Sequence, residues 1–255
     1  MNRRDALRAA TALTAGTLAA GAAGCAPNTP ATPTETQRSG PAPSPSATAP
    51  GAAPGAPAVE IQHGPRDRPR VALTFHGQGD AGIVSKLLDE FDRGGVKVTV
   101  LAVGTWLAAE PVLARRVVAA GHELGNHTQH HADIKRMAAE QAYAEIDECA
   151  KRVKAITGSI GRWFRPSQTR LATPTIKAAA ARAGYAACLS YDVDSLDYTD
   201  PAASVVVATT LRAVQPGSII SMHFGHLATI AAMSPLLSGL RDRGLAPVTV
   251  SELVG

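Results

Sequence analysis

From Arg70 onward, short apolar runs rich in strand formers alternate with stretches whose apolar residues recur at helical spacing. Few patterns constrain a fold as tightly, because strand–helix alternation with short connections requires parallel strands covered by helices. The strand-like runs are Val71–Phe75, Val96–Val103, Glu123–Asn126, Trp163–Arg165, a stretch within Tyr185–Val193, Ser218–Met222 and Pro247–Val250, the last closing the chain as a strand. Between them Gly82–Phe91, Glu110–Ala120, Ala138–Ile156, Thr173–Ala183, Ala202–Val214 and Ala228–Arg243 read as helices. Pro111 suits a first helical turn, and Gly94-Gly95, Gly121 and Gly184 are stop signals. The expected fold class is α/β: an irregular (β/α) barrel of seven or eight parallel strands in a single domain. Such barrels carry their sites at the C-terminal ends of the strands.

The region before this alternation has a different composition. All aromatic residues and all eight His follow Val59. Arg3 and Arg4 precede an Ala-rich run from Ala9 to Ala20 and then Gly21-Ala22-Ala23-Gly24-Cys25. A basic start, a short apolar stretch and small residues before a Cys describe an export signal over residues 1–25, twin-arginine-like and lipoprotein-like. The run is too short and too rich in Gly and Thr to span a bilayer. Residues 26–58, a Pro/Ala/Ser/Thr mixture, read as a disordered tether, and 59–255 as the folded domain. A lipid on Cys25 would then hold the domain at the outer face of the cytoplasmic membrane; the other expectation is secretion. The net charge is +4, with no basic run interleaved with aromatics, so no nucleic-acid partner is expected. A monomer is expected. Cys149 lies in a helical pattern and Cys188 in a strand pattern, and whether they pair is open.

Polar groups cluster just after the strands. His127-Thr128-Gln129-His130-His131 follows Glu123–Asn126, and His127 and His131, four apart, can grip a zinc-like ion. His76-Gly77-Gln78-Gly79-Asp80 follows the first strand, Phe164-Arg165-Pro166 another, the acidic stretch Asp192–Tyr198 a third, and His223 with His226 a fourth. Any one of these is unremarkable as a surface loop; together at successive strand ends they point to one shared site.

In order and spacing these motifs resemble the NodB-like polysaccharide deacetylases, carbohydrate esterase family four, over about residues 69–255. His127, Thr128 and His131 match the family's His-Ser/Thr-x-x-His in full. Arg165 matches the third motif, with Ser167 and Gln168 in place of Pro and Tyr. Asp194 matches the fourth, with Tyr198 in place of Trp, and His223 the fifth, with Ser221 in place of Leu. The first motif, Thr-Phe-Asp-Asp-Gly, is altered: Thr74-Phe75 is followed by His76-Gly77-Gln78. The resemblance implies hydrolysis of N-acetyl groups on a cell-wall or extracellular glycan with a divalent metal, zinc by preference. In it His127 and His131 are metal ligands, His223 the general acid, and Arg165 and Asp194 orienting groups.

The altered motif leaves two repairs open. His76 joins His127 and His131 as a three-His site, or Asp80 reaches back as ligand or base and His76 takes the other role. Arg165, without its family carboxylate, is left to pair with Asp194. The expected catalytic set is His76, Asp80, Arg165, Asp194 and His223, with Gln168, Tyr198 and Trp106 as substrate-binding residues. The alternative is a catalytically inactive, surface-tethered glycan-binding protein on the same fold. A generic metal scavenger accounts for the His cluster but not for Arg165, Asp194 and His223 at other strand ends.

Overall fold

The structure, a computed structural model, describes residues 56–255. The expected export signal, and the expected tether as far as residue 55, lie outside the described residues.

The chain enters with β1 (Val59–Ile61) and β2 (Arg70–Gly77), followed by α1 (Ala81–Gly94), β3 (Thr99–Ala102), α2 (Gly104–Ala109), α3 (Pro111–Ala119) and β4 (Glu123–Asn126). It continues through α4 (Ala139–Thr157), α5 (Pro174–Arg182), β5 (Ala187–Leu189), β6 (Val193–Asp194), α6 (Ala203–Ala213), β7 (Ile219–His223), α7 (Leu227–Asp242), β8 (Ala246–Val248) and α8 (Val250–Val254). Every ladder among the named strands is parallel. The main path runs β4-β3-β2-β7-β6, with β8 on the lower part of β2. Phe164 bridges Asn126 on one side and Cys188 on the other, joining β4 to β5 and so to β1. This is the irregular α/β barrel that the alternation predicts.

Four local readings change. Trp163–Arg165 contributes one paired residue, Phe164, instead of a strand. Pro166 follows directly and has no N–H to extend a ladder. The chain ends in a helix after β8: Thr249 and Glu252 form a reciprocal cap, with the Thr249 N–H donating to Glu252 Oε2 at 2.9 Å and the Glu252 N–H to Thr249 Oγ1 at 3.3 Å. Tyr185–Val193 splits into β5 and β6, and Val96–Val103 shortens to β3. Strand β1 and helix α2 fall where no element is expected.

Alternation along β2 divides the core. Val71, Leu73 and Phe75 face the helices and join the main cluster with Val84, Leu87, Leu88 and Phe91 of α1. Burying each such side chain contributes about 1.5–3 kcal/mol, which is what seats α1 on the sheet. Ala72 faces inward with Leu101, Leu189, Ile219 and Val250. Thr74 and His76 share its parity, so β2 delivers His76 into the barrel mouth and turns Gly77 toward β3. A Cβ at Gly77 would lie 2.7 Å from Val100 Cγ1 and 3.0 Å from Ala102 Cα. Cys149 and Cys188 are both buried and free.

Candidate active site

The β2–β7 register sets His76 opposite His223, with their ring centroids 4.3 Å apart. On its other side His76 stands edge-on to His127, also at 4.3 Å. His127 follows β4 directly, and its backbone N–H donates to Ala102 O at 2.9 Å, continuing the strand by one bond. Thr128 and His131 then take left-handed backbone, φ 68° and 55°, which turns the chain back on itself. That turn brings the His131 ring 4.9 Å from His127. Asn126 Oδ1 accepts from the Thr128 N–H at 2.9 Å, and Gln168 Nε2 donates to His131 O at 2.8 Å, fixing both ends of the turn.

One ring nitrogen each from His76, His127 and His131 lies within 4.8 Å of the others. His127 Nδ1 sits 2.9 Å from Arg165 O, and a carbonyl only accepts, so Nδ1 carries the proton. The lone pair therefore lies on Nε2, which is buried without a hydrogen-bond partner. An orphaned imidazole nitrogen aimed among two others, its tautomer fixed from behind by a carbonyl, is the donor set of a metal site. Burial, reinforced by neighbouring imidazoles and the Arg165 charge, holds His76 and His127 well below the ordinary His range; burial does the same more weakly for His131. The three are neutral near pH 7, the form that binds metal. These residues fit a divalent ion, as the three-His repair predicts.

Beside them stands a His–carboxylate pair. His223 Nδ1 lies 2.7 Å from Asp197 Oδ1, the His223 N–H donates to Asp197 Oδ2 at 2.8 Å, and Thr229 Oγ1 donates to the same oxygen at 2.6 Å. Asp197 is fully buried. Burial alone would raise its carboxyl, but the bonds to His223 and Thr229 outweigh that and hold it below the ordinary range. A second pair, His226 Nδ1 to Asp200 Oδ1 at 2.8 Å, lies further out.

His76, His131 and His223 open onto a cavity of about 250 Å³, walled by Gln168, Tyr191, Asp194 and Tyr198 among others. The expected site residues therefore separate. His76, His127, His131, Asp194, His223, Gln168 and Tyr198 meet at or beside the cavity, with Arg165 beneath. Asp80 does not: it caps α1, its Oδ1 accepting from Gly82 N–H at 2.9 Å and Ile83 N–H at 3.0 Å. Trp106 does not either. It is buried in the core against Phe224, 6.1 Å between centroids, so it offers no face to a sugar. Arg165 makes no ion pair with Asp194. Its guanidinium donates to Leu189 O, Thr74 Oγ1 and Ser190 O, all neutral, and burial lowers it to about 10.

Asp197 is the residue that sequence reasoning passed over, although it lies in the acidic stretch singled out there. Three carboxylates of that stretch do three jobs. Asp192 accepts from Arg66 and from the Ile219 N–H, Asp194 faces the cavity, and Asp197 holds His223. Only the bend after β6 sorts them.

The polysaccharide deacetylase family model matches residues 63–188. A chitooligosaccharide deacetylase from Bradyrhizobium sp. is 30% identical over 189 residues, covering 68% of this chain and 85% of that one. The peptidoglycan-N-acetylglucosamine deacetylase PgdA of Listeria monocytogenes is 28% identical over 186 residues, 73% of this chain and 39% of that one. The chain thus spans less than two thirds of the length of several curated relatives it matches. A family 4 carbohydrate esterase pseudoenzyme from Bacillus anthracis shares the fold, with a TM-score of 0.73 at 24% identity over 78% of this chain and 70% of that one. With this fold and this pattern of strand-end residues, the chain belongs to the polysaccharide deacetylase family, carbohydrate esterase family four.

Proposed function

We propose that this protein is a metal-dependent hydrolase that removes acetyl groups from an N-acetylated cell-wall or extracellular polysaccharide, with zinc held by His76, His127 and His131. Two observations carry this reading: His127 Nε2 is buried and unpartnered, and one ring nitrogen each from His76, His127 and His131 lies within 4.8 Å of the others. A bound divalent ion there polarises a carbonyl oxygen and makes water more acidic. The protein's own groups do the rest. Asp194, the carboxylate on the cavity wall, is assigned the proton of the attacking water. His223, oriented through Nδ1 by Asp197, presents Nε2 to the leaving amine and gives it a proton. The amine departs as the C–N bond breaks, and acetate is the other product. Arg165 sits under the site and favours negative charge above it.

A second reading has its own observation. Gly77 supplies no ligand, and one structural neighbour of the same fold is a pseudoenzyme. In that reading the barrel binds glycan without cutting it. Elemental analysis of the purified protein, with acetate release from N-acetylglucosamine oligomers, separates the two. About one zinc per chain and acetate release support hydrolysis; no metal after incubation with zinc or cobalt overturns it.

The first 25 residues support export and lipid attachment at Cys25, which places the domain within reach of the cell wall. Cys25→Ser should release the protein from the membrane fraction; a soluble unmodified wild type would overturn that placement.

A further inference from the structure

Ile220 and Met222 of β7 join the cluster under the helices, whereas Ile219 faces the barrel interior. Ser221 shares the parity of Ile219 and His223 and is buried. Its Oγ lies 3.2 Å from His76 Nε2, the one side-chain hydrogen bond that this imidazole makes among the described residues. The register sets Thr74 opposite Ser221 and His76 opposite His223, so the contact runs diagonally between neighbouring strands. Thr74, the hydroxyl across from Ser221, is committed elsewhere: it donates to Ile220 O at 2.7 Å and accepts from Arg165 at 2.9 Å. Positions 76 and 221 both depart from the family pattern, and the two departures touch. At 221 that pattern has Leu, which offers no polar atom.

Burial keeps the His76 ring neutral near pH 7, with one N–H and one lone pair. A serine hydroxyl can donate to such a ring or accept from it. Donation would occupy the Nε2 lone pair and put the proton on Nδ1, leaving His76 nothing to offer an ion. Accepting the Nε2 proton keeps the Nδ1 lone pair free. His127 is held in the same way, its far nitrogen tied to Arg165 O. An oxygen behind the ring is how metal-binding histidines are oriented.

We propose that Ser221 is a positioning residue for His76: its Oγ accepts the Nε2 proton, which fixes the rotation and tautomer of the ring and leaves the Nδ1 lone pair for an ion. The ion rests on the metal-site reading above; the tautomer does not. Position 221 thereby supplies the orienting oxygen that a histidine at position 76 requires.

Nitrogen NMR of the full chain with labelled histidine, metal-free and near pH 8, reads the tautomer directly, the His76 signals being assigned by their loss in His76→Ala. Wild type should show the proton on Nε2, and Ser221→Ala should show a mixture or the reverse. A zinc titration should find binding weakened about 10–100-fold in Ser221→Ala, as loss of a group behind a ligand does. Ser221→Thr, which keeps the hydroxyl, should restore both readouts. A proton on Nδ1 in the wild type, or a tautomer and zinc affinity unchanged in Ser221→Ala, overturns the proposal. The hydrolase reading fails separately. Wild type that takes no zinc, with the Nε2 proton present and lost in Ser221→Ala, sinks that reading and keeps this one. Equal zinc affinity and equal acetate release in wild type and Ser221→Ala do the reverse.

Discussion

Asp197 grips His223 twice, through the ring at 2.7 Å and through the backbone N–H at 2.8 Å, so one carboxylate fixes both where the imidazole stands and which way it points. The grip keeps the Nδ1 proton in place and leaves Nε2 to face the cavity.

Removing that imidazole should separate binding from chemistry. His223→Ala is expected to keep the metal, because His223 is not among the three clustered imidazoles, and to lose about 10²–10⁴-fold in kcat. Asp197→Asn should lower kcat with little change in metal content. Metal analysis beside acetate release checks both, and loss of metal in His223→Ala would contradict the division of labour.

The proposed ligands should behave differently. His131→Ala and His76→Ala are each expected to abolish stoichiometric metal and activity together. Asp80→Ala should instead keep the metal and cost about 0.5–2 kcal/mol of stability, as removal of a helix N-cap does. Thermal unfolding and elemental analysis of the three variants distinguish a ligand from a cap.

Metal-free protein should weaken in mild acid. The folded-state pKa values of His76, His127 and His131 lie below the ordinary 6.5, and burial lowers His122, away from the site, to about 4. A depressed His pKa means the unfolded chain binds more protons. The stability is therefore complete above about pH 6.5 and is lost as pH falls below it through the folded values. Denaturant midpoints should hold level from pH 8 to about 6.5 and fall steadily from there to pH 4.5, and saturating zinc should delay the fall. A flat profile would refute neutral burial of these rings.

The mouth of the barrel should tolerate no side chain where two loops meet. Gly79 has φ 152°, and a Cβ there would lie 2.5 Å from Gly225 Cα. Backbone thus touches backbone between the loops that follow β2 and β7, the loops behind His76 and His223. Gly79→Ala is expected to cost more than about 1 kcal/mol and to reduce activity beyond its effect on stability. Urea denaturation and kcat measured on the folded fraction check this.

How much of this the sequence discloses depends on what each feature needs. The alternation of apolar runs marks most strands, and helices such as α4 and α7 come within a residue or two of their expected ends. The meeting of three imidazoles is legible because His127 and His131 lie four residues apart and His76 stands at the end of a strand-like run. The cap at Thr249 and Glu252 is equally local, yet the strand-like run before it hides it. Features that depend on direction are hidden more deeply. Trp106 in the core and Trp106 on a groove have one sequence signature, and burial alone decides between them. Asp80 in a catalytic motif and Asp80 as a helix cap occupy one position, and only the backbone N–H groups of Gly82 and Ile83 show which it is. Asp197 does not stand out in the sequence because three carboxylates within six residues are interchangeable on paper.

The outward turn of Gly77 bears on how such a chain can change. Restoring the family's second carboxylate by Gly77→Asp would not return a ligand to the pocket. The new side chain would press on Val100 and Ala102 in a dry layer, costing stability before it could reach any ion. A deacetylase engineer starting from this scaffold gains more by tuning three imidazoles than by trying to reinstate an aspartate.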